Sequence, residues 1–197
     1  MSDLETVALT LYDIGAVQIG KFKLHSGRKS PIYLDLRLLA SFPQALRQAA
    51  AAYAALIQER NLQFDLLAAA PLAGLPIGTA LALEMDVPLI YPRKTAKSYG
   101  TGKSIEGAYS VGETAVIIDD LITSGDSIVT VATPLKAAGL TVTDAVVLID
   151  RGQGGDATLA ESGYNLHAVF TLNFLLAVLE KHDRITGKQH ARVLRKL

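Results

Sequence analysis

The sequence predicts an α/β fold: a doubly wound, mostly parallel sheet with helices on both faces, in a single domain spanning residues 1–197. Three observations carry this. Continuous apolar runs of strand length recur at residues 64–70, 87–91, 114–118 and 142–149. Stretches of helical period lie between them, the alternation expected of strand–helix–strand units with a sheet buried on both faces. Half of the 197 residues are hydrophobic, enough for a core that removes roughly 70% of the unfolded surface from water.

The elements follow in order. Residues 4–14 have helical spacing, with Ser2 or Asp3 as cap. Residues 32–36 read as a strand. Residues 43–59 form an Ala-rich helix, with Ser41 as its cap and Pro43 in the first turn. The strand at 64–70 is followed by Gly74-Leu75-Pro76 and a helix to about Met85. Strands at 87–91 and 114–118 precede a helix at 127–138, which Pro134 should kink or mark as starting late. A strand at 142–149, a shorter one at 166–170, and helices at 172–181 and 188–196 complete the chain. No internal repeat or low-complexity linker interrupts it.

Composition narrows the function classes. Nineteen basic and nineteen acidic residues balance, so nothing suggests a nucleic-acid or acidic-membrane partner. There is no cysteine, hence no disulfide framework and no thiolate chemistry. The start, MSDLETVALTLYDIG, lacks the basic opening of a signal peptide. The apolar run at 49–57 is too short to span a bilayer. A soluble, cytoplasmic domain is the expectation.

Two stretches carry chemistry. Residues 93–107, RKTAKSYGTGKSIEG, hold four cations and three glycines with almost nothing to pack. Segments of this length in compact domains are usually functional or disordered; the reading is a flexible cationic lid over an anionic ligand, against a plain surface connection. Residues 115–128, AVIIDDLITSGDSI, run from a buried strand into Asp119 and Asp120, then a small polar loop that opens a helix. In an open parallel sheet, ligands bind beyond the carboxyl ends of the strands. Hydroxyls from Thr123, Ser124 and Ser127, close approach at Gly125 and a helix N-terminus suit a phosphate, and the carboxylates suit sugar hydroxyls. The combination describes a phosphorylated ribose. No Gly-Lys-Ser/Thr follows, which excludes a Walker-type loop. The alternative is a solvated strand end with an ordinary helix cap. None of the four histidines has metal-ligand spacing with another; His167, His182 and His190 read as surface or packing residues.

VIIDDLITSGDS resembles the phosphoribosyl-pyrophosphate (PRPP) signature of the type I phosphoribosyltransferases. FKLHSGRKSPIYLDLR (22–37), RKTAKSYGTGKSIEGAY (93–109) and VVLIDRGQGG (146–155) resemble, in the same order, segments of the orotate phosphoribosyltransferases. The wording is closest to the orotate-transferase domain of bifunctional UMP synthases. The resemblance implies the type I phosphoribosyltransferase fold, with a small hood from about residues 1–40 and 165–197. It also implies transfer of phosphoribosyl from PRPP to orotate in pyrimidine synthesis. Asp119 and Asp120 would hold the ribose hydroxyls. Thr123, Ser124, Gly125, Asp126 and Ser127 would cradle the 5′-phosphate, with Thr123 also near the base. Arg93, Lys94, Lys97 and Tyr99 would reach the pyrophosphate from the loop, which in the family serves a neighbouring subunit of a homodimer. Arg93, Lys94, Lys97 and Asp120 would be the catalytic groups. Arg151 would pair with the orotate carboxylate, and the backbone at Tyr33 and Leu34 would contact the pyrimidine. Mg²⁺ would be held mainly by PRPP rather than by protein ligands.

Departures and rivals stand beside this. His25 occupies the place of a family lysine, Ala73 that of a lysine facing pyrophosphate in one bacterial subgroup, and Tyr99 that of a histidine in the same subgroup. Arg151, read alone, would equally suit a surface salt bridge to Asp150 or Asp156. A purine or uracil phosphoribosyltransferase is a rival enzyme on the same fold. A PRPP-sensing regulator is a rival binding module, disfavoured by the absence of net positive charge.

Overall fold

The computed structural model describes residues 3–23, 27, 29–93 and 104–196. The chain runs α1 (Asp3–Asp13), β1 (Val17–Lys23), β2 (Lys29–Leu34), a 3-10 helix (Leu36–Ser41), α2 (Pro43–Glu59), β3 (Leu66–Ala69) and α3 (Gly74–Met85). It continues with β4 (Leu89–Pro92), β5 (Ile105–Glu106), β6 (Thr114–Ile122), α4 (Asp126–Ala137) and β7 (Thr141–Asp150). The last elements are α5 (Gly155–Glu161), β8 (Asn165–Thr171), α6 (Leu172–Lys181) and α7 (Gly187–Leu194).

Six strands form one sheet in the order β5-β4-β3-β6-β7-β8, parallel except for β5 at one edge. From β3 the chain winds outward to β4; from β6 it winds the other way through β7 to β8. The strand order therefore reverses between β3 and β6, and the crevice beyond their carboxyl ends is where such a sheet takes a ligand. Alternation along the strands splits the core into two layers. Leu67, Val116, Ile118, Val146 and Leu148 face the helices α1, α2, α3 and α6. Leu66, Ala68, Ala115, Ile117, Ala145 and Val147 face α4 and α5. The mostly parallel sheet with both faces covered is thus as the apolar runs predict.

The helices at 43–59 and 172–181 have the predicted bounds, because spacing and capping agree there. In α2 the buried Ala45, Ala49, Tyr53 and Ile57 recur every fourth residue, and Pro43 sits in the first turn. Its cap differs from expectation: Phe42 holds the N-cap position without a side-chain bond, and Ser41 closes the preceding 3-10 helix. Asp3 likewise lies inside α1. Thr171 caps α6 by accepting from the Phe174 N–H at 3.1 Å. Pro134 does not mark a late start: α4 begins at Asp126 and runs through it, and the Ala138 N–H bonds to the Pro134 carbonyl at 3.1 Å.

Other differences concern strands and short elements. The strand expected at 32–36 is β2, which ends at Leu34 and pairs antiparallel with β1 in a separate hairpin. β6 continues four residues past the expected end, so Asp119 and Asp120 lie within its last turn of pleat rather than beyond it. Of the expected lid at 93–107, residues 94–103 lie outside the described residues. Its far end is not loop but β5, which pairs with β4 through Tyr91–Glu106 and Pro92–Ile105 and buries Ile105. Among the described residues, no helix is long and apolar enough to cross a membrane.

Candidate active site

The carboxyl ends of β6 and β7 are adjacent, with Ile122 in register with Asp150. This places the diacid, the polar loop and Arg151 around one crevice. Asp119 is only 7% exposed, although it is a carboxylate. Its Oδ1 accepts from the Asp120 N–H at 2.9 Å, and beneath it the Tyr53 hydroxyl donates to its backbone carbonyl at 2.6 Å. Burial, then the neighbouring Asp120 charge, pushes the Asp119 carboxyl up to about 7. Burial raises Asp120 as well, against which the Arg37 charge pulls it back down. The Ser127 hydroxyl also favours the charged form of Asp119, which ties the loop to the diacid.

The loop after β6 owes its shape to two glycines. Gly125 has φ +91°, a region side chains rarely occupy, and serves as the N-cap of α4. Its carbonyl accepts from the Ile128 N–H at 3.0 Å. Gly155, the first residue of α5, packs so closely that a Cβ there would meet the Thr123 carbonyl at 2.7 Å. The start of α5 is therefore a floor under the loop, and the sequence pattern gave no sign of this seven-residue helix. Ser124 donates to Asp126 Oδ2 at 2.7 Å, a contact within the loop. Thr123 is half-buried, while Ser124, Asp126 and Ser127 are exposed. Hydroxyls thus surround the N-terminal end of α4, a setting that attracts anions.

Arg151 follows β7, its N–H bonded to the Ile122 carbonyl at 3.2 Å. The surface salt bridge that the sequence left open is not formed with Asp150, whose carboxylate instead accepts from the Gly152 N–H at 2.8 Å. Among the described residues Arg151 forms no ion pair with Asp156 either. Its Nε is buried without a hydrogen-bond partner, and burial lowers its pKa. A buried donor of this kind is costly unless something accepts from it.

The end of the hairpin lies within electrostatic range of the diacid. Tyr33 and Leu34 end β2, and Arg37, at the start of the 3-10 helix, carries a positive charge that acts on Asp120. Its guanidinium grips Asp35 at 2.6 and 2.9 Å, and Nη2 donates to the Tyr33 hydroxyl at 3.3 Å. The Asp35 contact holds the Arg37 pKa above its ordinary value, and its charge reaches Asp120. Sequence reasoning gave Arg37 no role, although Tyr33, Asp35 and Arg37 recur at every second residue.

Other expected site residues fall out differently. Arg93 is ion-paired with Glu106 across the β4–β5 edge rather than carried free on a lid. Ala73 is the N-cap of α3, at the carboxyl end of β3. Lys94, Lys97, Tyr99 and His25 lie outside the described residues. Among the described residues no three His, Asp or Glu side chains converge on a point that could hold a metal ion. The described histidines each lie against a carboxylate: His167–Asp144 at 2.8 Å, His182–Glu5 at 3.6 Å and His190–Glu180 at 2.5 Å.

Comparison with known proteins places the chain in a family. The phosphoribosyl transferase domain family matches residues 39–162, a span from the 3-10 helix to the end of α5. The chain is 42% identical over 186 residues to the bifunctional enzyme PyrF/PyrE of Nostoc, covering 94% of this chain and 39% of the relative. It is 39% identical over 181 residues to an orotate phosphoribosyltransferase of Caenorhabditis elegans, covering 91% and 80%. The UMP synthase structure from Leishmania donovani superposes with a TM-score of 0.89 at 43% identity, covering 98% of this chain and 42% of that one. The chain thus spans about two-fifths of the length of these bifunctional relatives. With four-fifths of a free-standing orotate phosphoribosyltransferase matched as well, the chain belongs to the orotate phosphoribosyltransferase family, within the type I phosphoribosyltransferases.

Proposed function

We propose that the chain transfers the 5-phosphoribosyl group of PRPP to orotate, giving orotidine 5′-monophosphate and pyrophosphate, as the phosphoribosyl step of pyrimidine synthesis in the cytoplasm. The observation that carries this is the buried, partnerless Nε of Arg151 beside the polar loop and diacid. A planar guanidinium fits a carboxylate, which orotate has and uracil, adenine and hypoxanthine lack.

In the reaction the C1–oxygen bond to pyrophosphate breaks and its electron pair leaves with the pyrophosphate. The orotate ring nitrogen bonds to C1 and its proton goes to solvent. Asp119 and Asp120 accept hydrogen bonds from the ribose hydroxyls and face the positive charge that develops on the sugar. Residues Thr123, Ser124, Gly125, Asp126 and Ser127 hold the 5′-phosphate, Thr123 also bordering the base. Arg151 holds the orotate carboxylate, and the backbone at Tyr33 and Leu34 borders the ring. Arg93, Lys94, Lys97 and Tyr99 serve the leaving pyrophosphate; Arg93 must exchange Glu106 for it. Positioned charge, rather than a strong general base, is the device. Mg²⁺, held mainly by PRPP as the family resemblance implies, would neutralise part of the leaving charge.

The test is orotate consumption, followed by absorbance with PRPP and Mg²⁺, beside hypoxanthine, adenine and uracil. Turnover of orotate alone is expected; turnover of a purine and not of orotate would overturn the assignment. We further propose a homodimer in which each 93–107 segment serves its neighbour's site. Lys97→Ala and Asp120→Asn proteins, each nearly inactive, should then recover about a quarter of wild-type sites after mixing, because half of the sites in each heterodimer are intact. No recovery with heterodimers formed would place the loop in its own subunit's site.

A further inference from the structure

Between the β1–β2 hairpin and α7 lies a groove of about 400 Å³ whose wall is cationic. Lys21, Lys23 and Lys29 line it from the hairpin, Arg192 from the last turn of α7 and Lys196 from just past it. No lining residue is acidic, and none of the five forms an ion pair among the described residues. In a chain with no net charge this is an uneven distribution. By contrast, Lys181, Arg184, Arg37 and Arg93 all have carboxylate partners.

The groove is also electrostatically unfavourable as it stands. Lys23 and Lys29 are cross-strand partners, and like charges directly opposite each other destabilise a hairpin. Arg192 lies in the last turn of α7 and Lys196 two residues past its end. The helix dipole compensates cations at a C-terminus, which accounts for that pair but not for the lysines facing it. The docking of α7 on the hairpin is thin: Val193 is its one buried residue, Arg192 reaches the Gly20 carbonyl at only 3.4 Å, and the His190–Glu180 contact holds α7 to α6 instead.

We propose that this groove is a binding site for a polyphosphate-class anion, which clamps α7 onto the β1–β2 hairpin by neutralising the five cations. The volume is that of a small-molecule site, and the half-buried Phe22 ring at its wall offers an apolar surface beside the charges. A long nucleic acid is not what it fits, because the cations are confined to one pocket rather than spread along a face. Inorganic polyphosphate and a nucleoside triphosphate share the recognised chemistry.

The experiment compares the whole chain with Lys23→Gln/Lys29→Gln, using tripolyphosphate and adenosine triphosphate as probes. Thermal midpoints and amide hydrogen exchange are the readouts. The phosphate loop at 123–127 is common to both proteins, so its own response cancels. The expected result is protection of residues 17–23, 29–34 and 187–194 in the wild type, weakened about tenfold or more in affinity in the variant. The ligand-free midpoint of the variant should be unchanged or higher. Tighter binding of adenosine triphosphate would identify a nucleotide, and equal binding would identify the phosphate chain; either supports the site. Protection confined to 119–128, an equal response in the variant, or a lower ligand-free midpoint would overturn it. Tighter protection of the same segments by a short RNA would also overturn it, in favour of a nucleic-acid surface.

Discussion

The ionisable groups at the carboxyl ends of β6 and β7 differ in kind from those on the outer helices. On the outside, opposite charges meet: Lys181–Glu5 at 2.7 Å, Arg184–Asp13 at 3.2 Å and His190–Glu180 at 2.5 Å. In the crevice, the buried Asp119 adjoins the half-buried Asp120, and Arg151 Nε is buried without a hydrogen-bond partner. Exposed pairs contribute little to stability, whereas buried and unpartnered charge costs stability. Groups that keep such a cost in one crevice are candidates for ligand contacts, and the proposed function assigns them that role.

The sharpest break in this contrast comes from the diacid. Asp119→Asn/Asp120→Asn should cut PRPP-dependent turnover by on the order of 100-fold or more, as both carboxyl groups become neutral amides with one acceptor oxygen each. The same change should raise the stability of the ligand-free protein near pH 7. The sign follows from linkage: the folded-state pKa of Asp119 lies above its unfolded value of 3.8, so the folded state binds the extra proton. Stability should therefore fall as pH rises from about 4 to about 7, by on the order of a few kcal/mol, and the variant should flatten that slope. Denaturant titrations across this range would measure it.

Arg151→Ala comes next. It should raise the KM for orotate by roughly 2–3 kcal/mol while changing that for PRPP far less. Equal effects on both substrates would remove Arg151 from the orotate site. Gly155→Ala should follow, at about 1–3 kcal/mol of stability with a raised KM for PRPP, because its Cβ must displace the Thr123 carbonyl. Unaltered PRPP kinetics would mean the floor under the loop does not matter. Lys181→Ala, on the outside, should shift the thermal midpoint by no more than about 2 °C and leave turnover intact. A larger effect would show that the outer pairs do more than the contrast allows.

The strands and helices that the sequence made legible are those where burial and period coincide. The run at 64–70 and the Ala-rich helix at 43–59 needed no tertiary information. The polar loop at 123–127 was legible because glycine and hydroxyls follow a strand end. What escaped was set by partners far away in sequence. β1 reads as ordinary amphipathic chain until β2 pairs with it. α5 has seven residues, too few for a period, and is held by the β6 loop that it supports. The extension of β6 to Ile122 was hidden by two carboxylates that would be unwelcome in most strands and are tolerated at a ligand crevice. Arg37 was missed because its significance lies in binding Asp35 and Tyr33 while its charge acts on Asp120, which only the folded chain brings about.

The central claim is that the crevice holds charge at a cost for the sake of its ligand. It is tested most directly by thermal unfolding of Asp119→Asn/Asp120→Asn at pH 7, with and without PRPP and Mg²⁺. The account predicts a ligand-free midpoint equal to or above that of the wild type, together with loss of the PRPP-induced rise. A lower ligand-free midpoint with the PRPP response preserved would contradict it, and would make the two aspartates part of the scaffold.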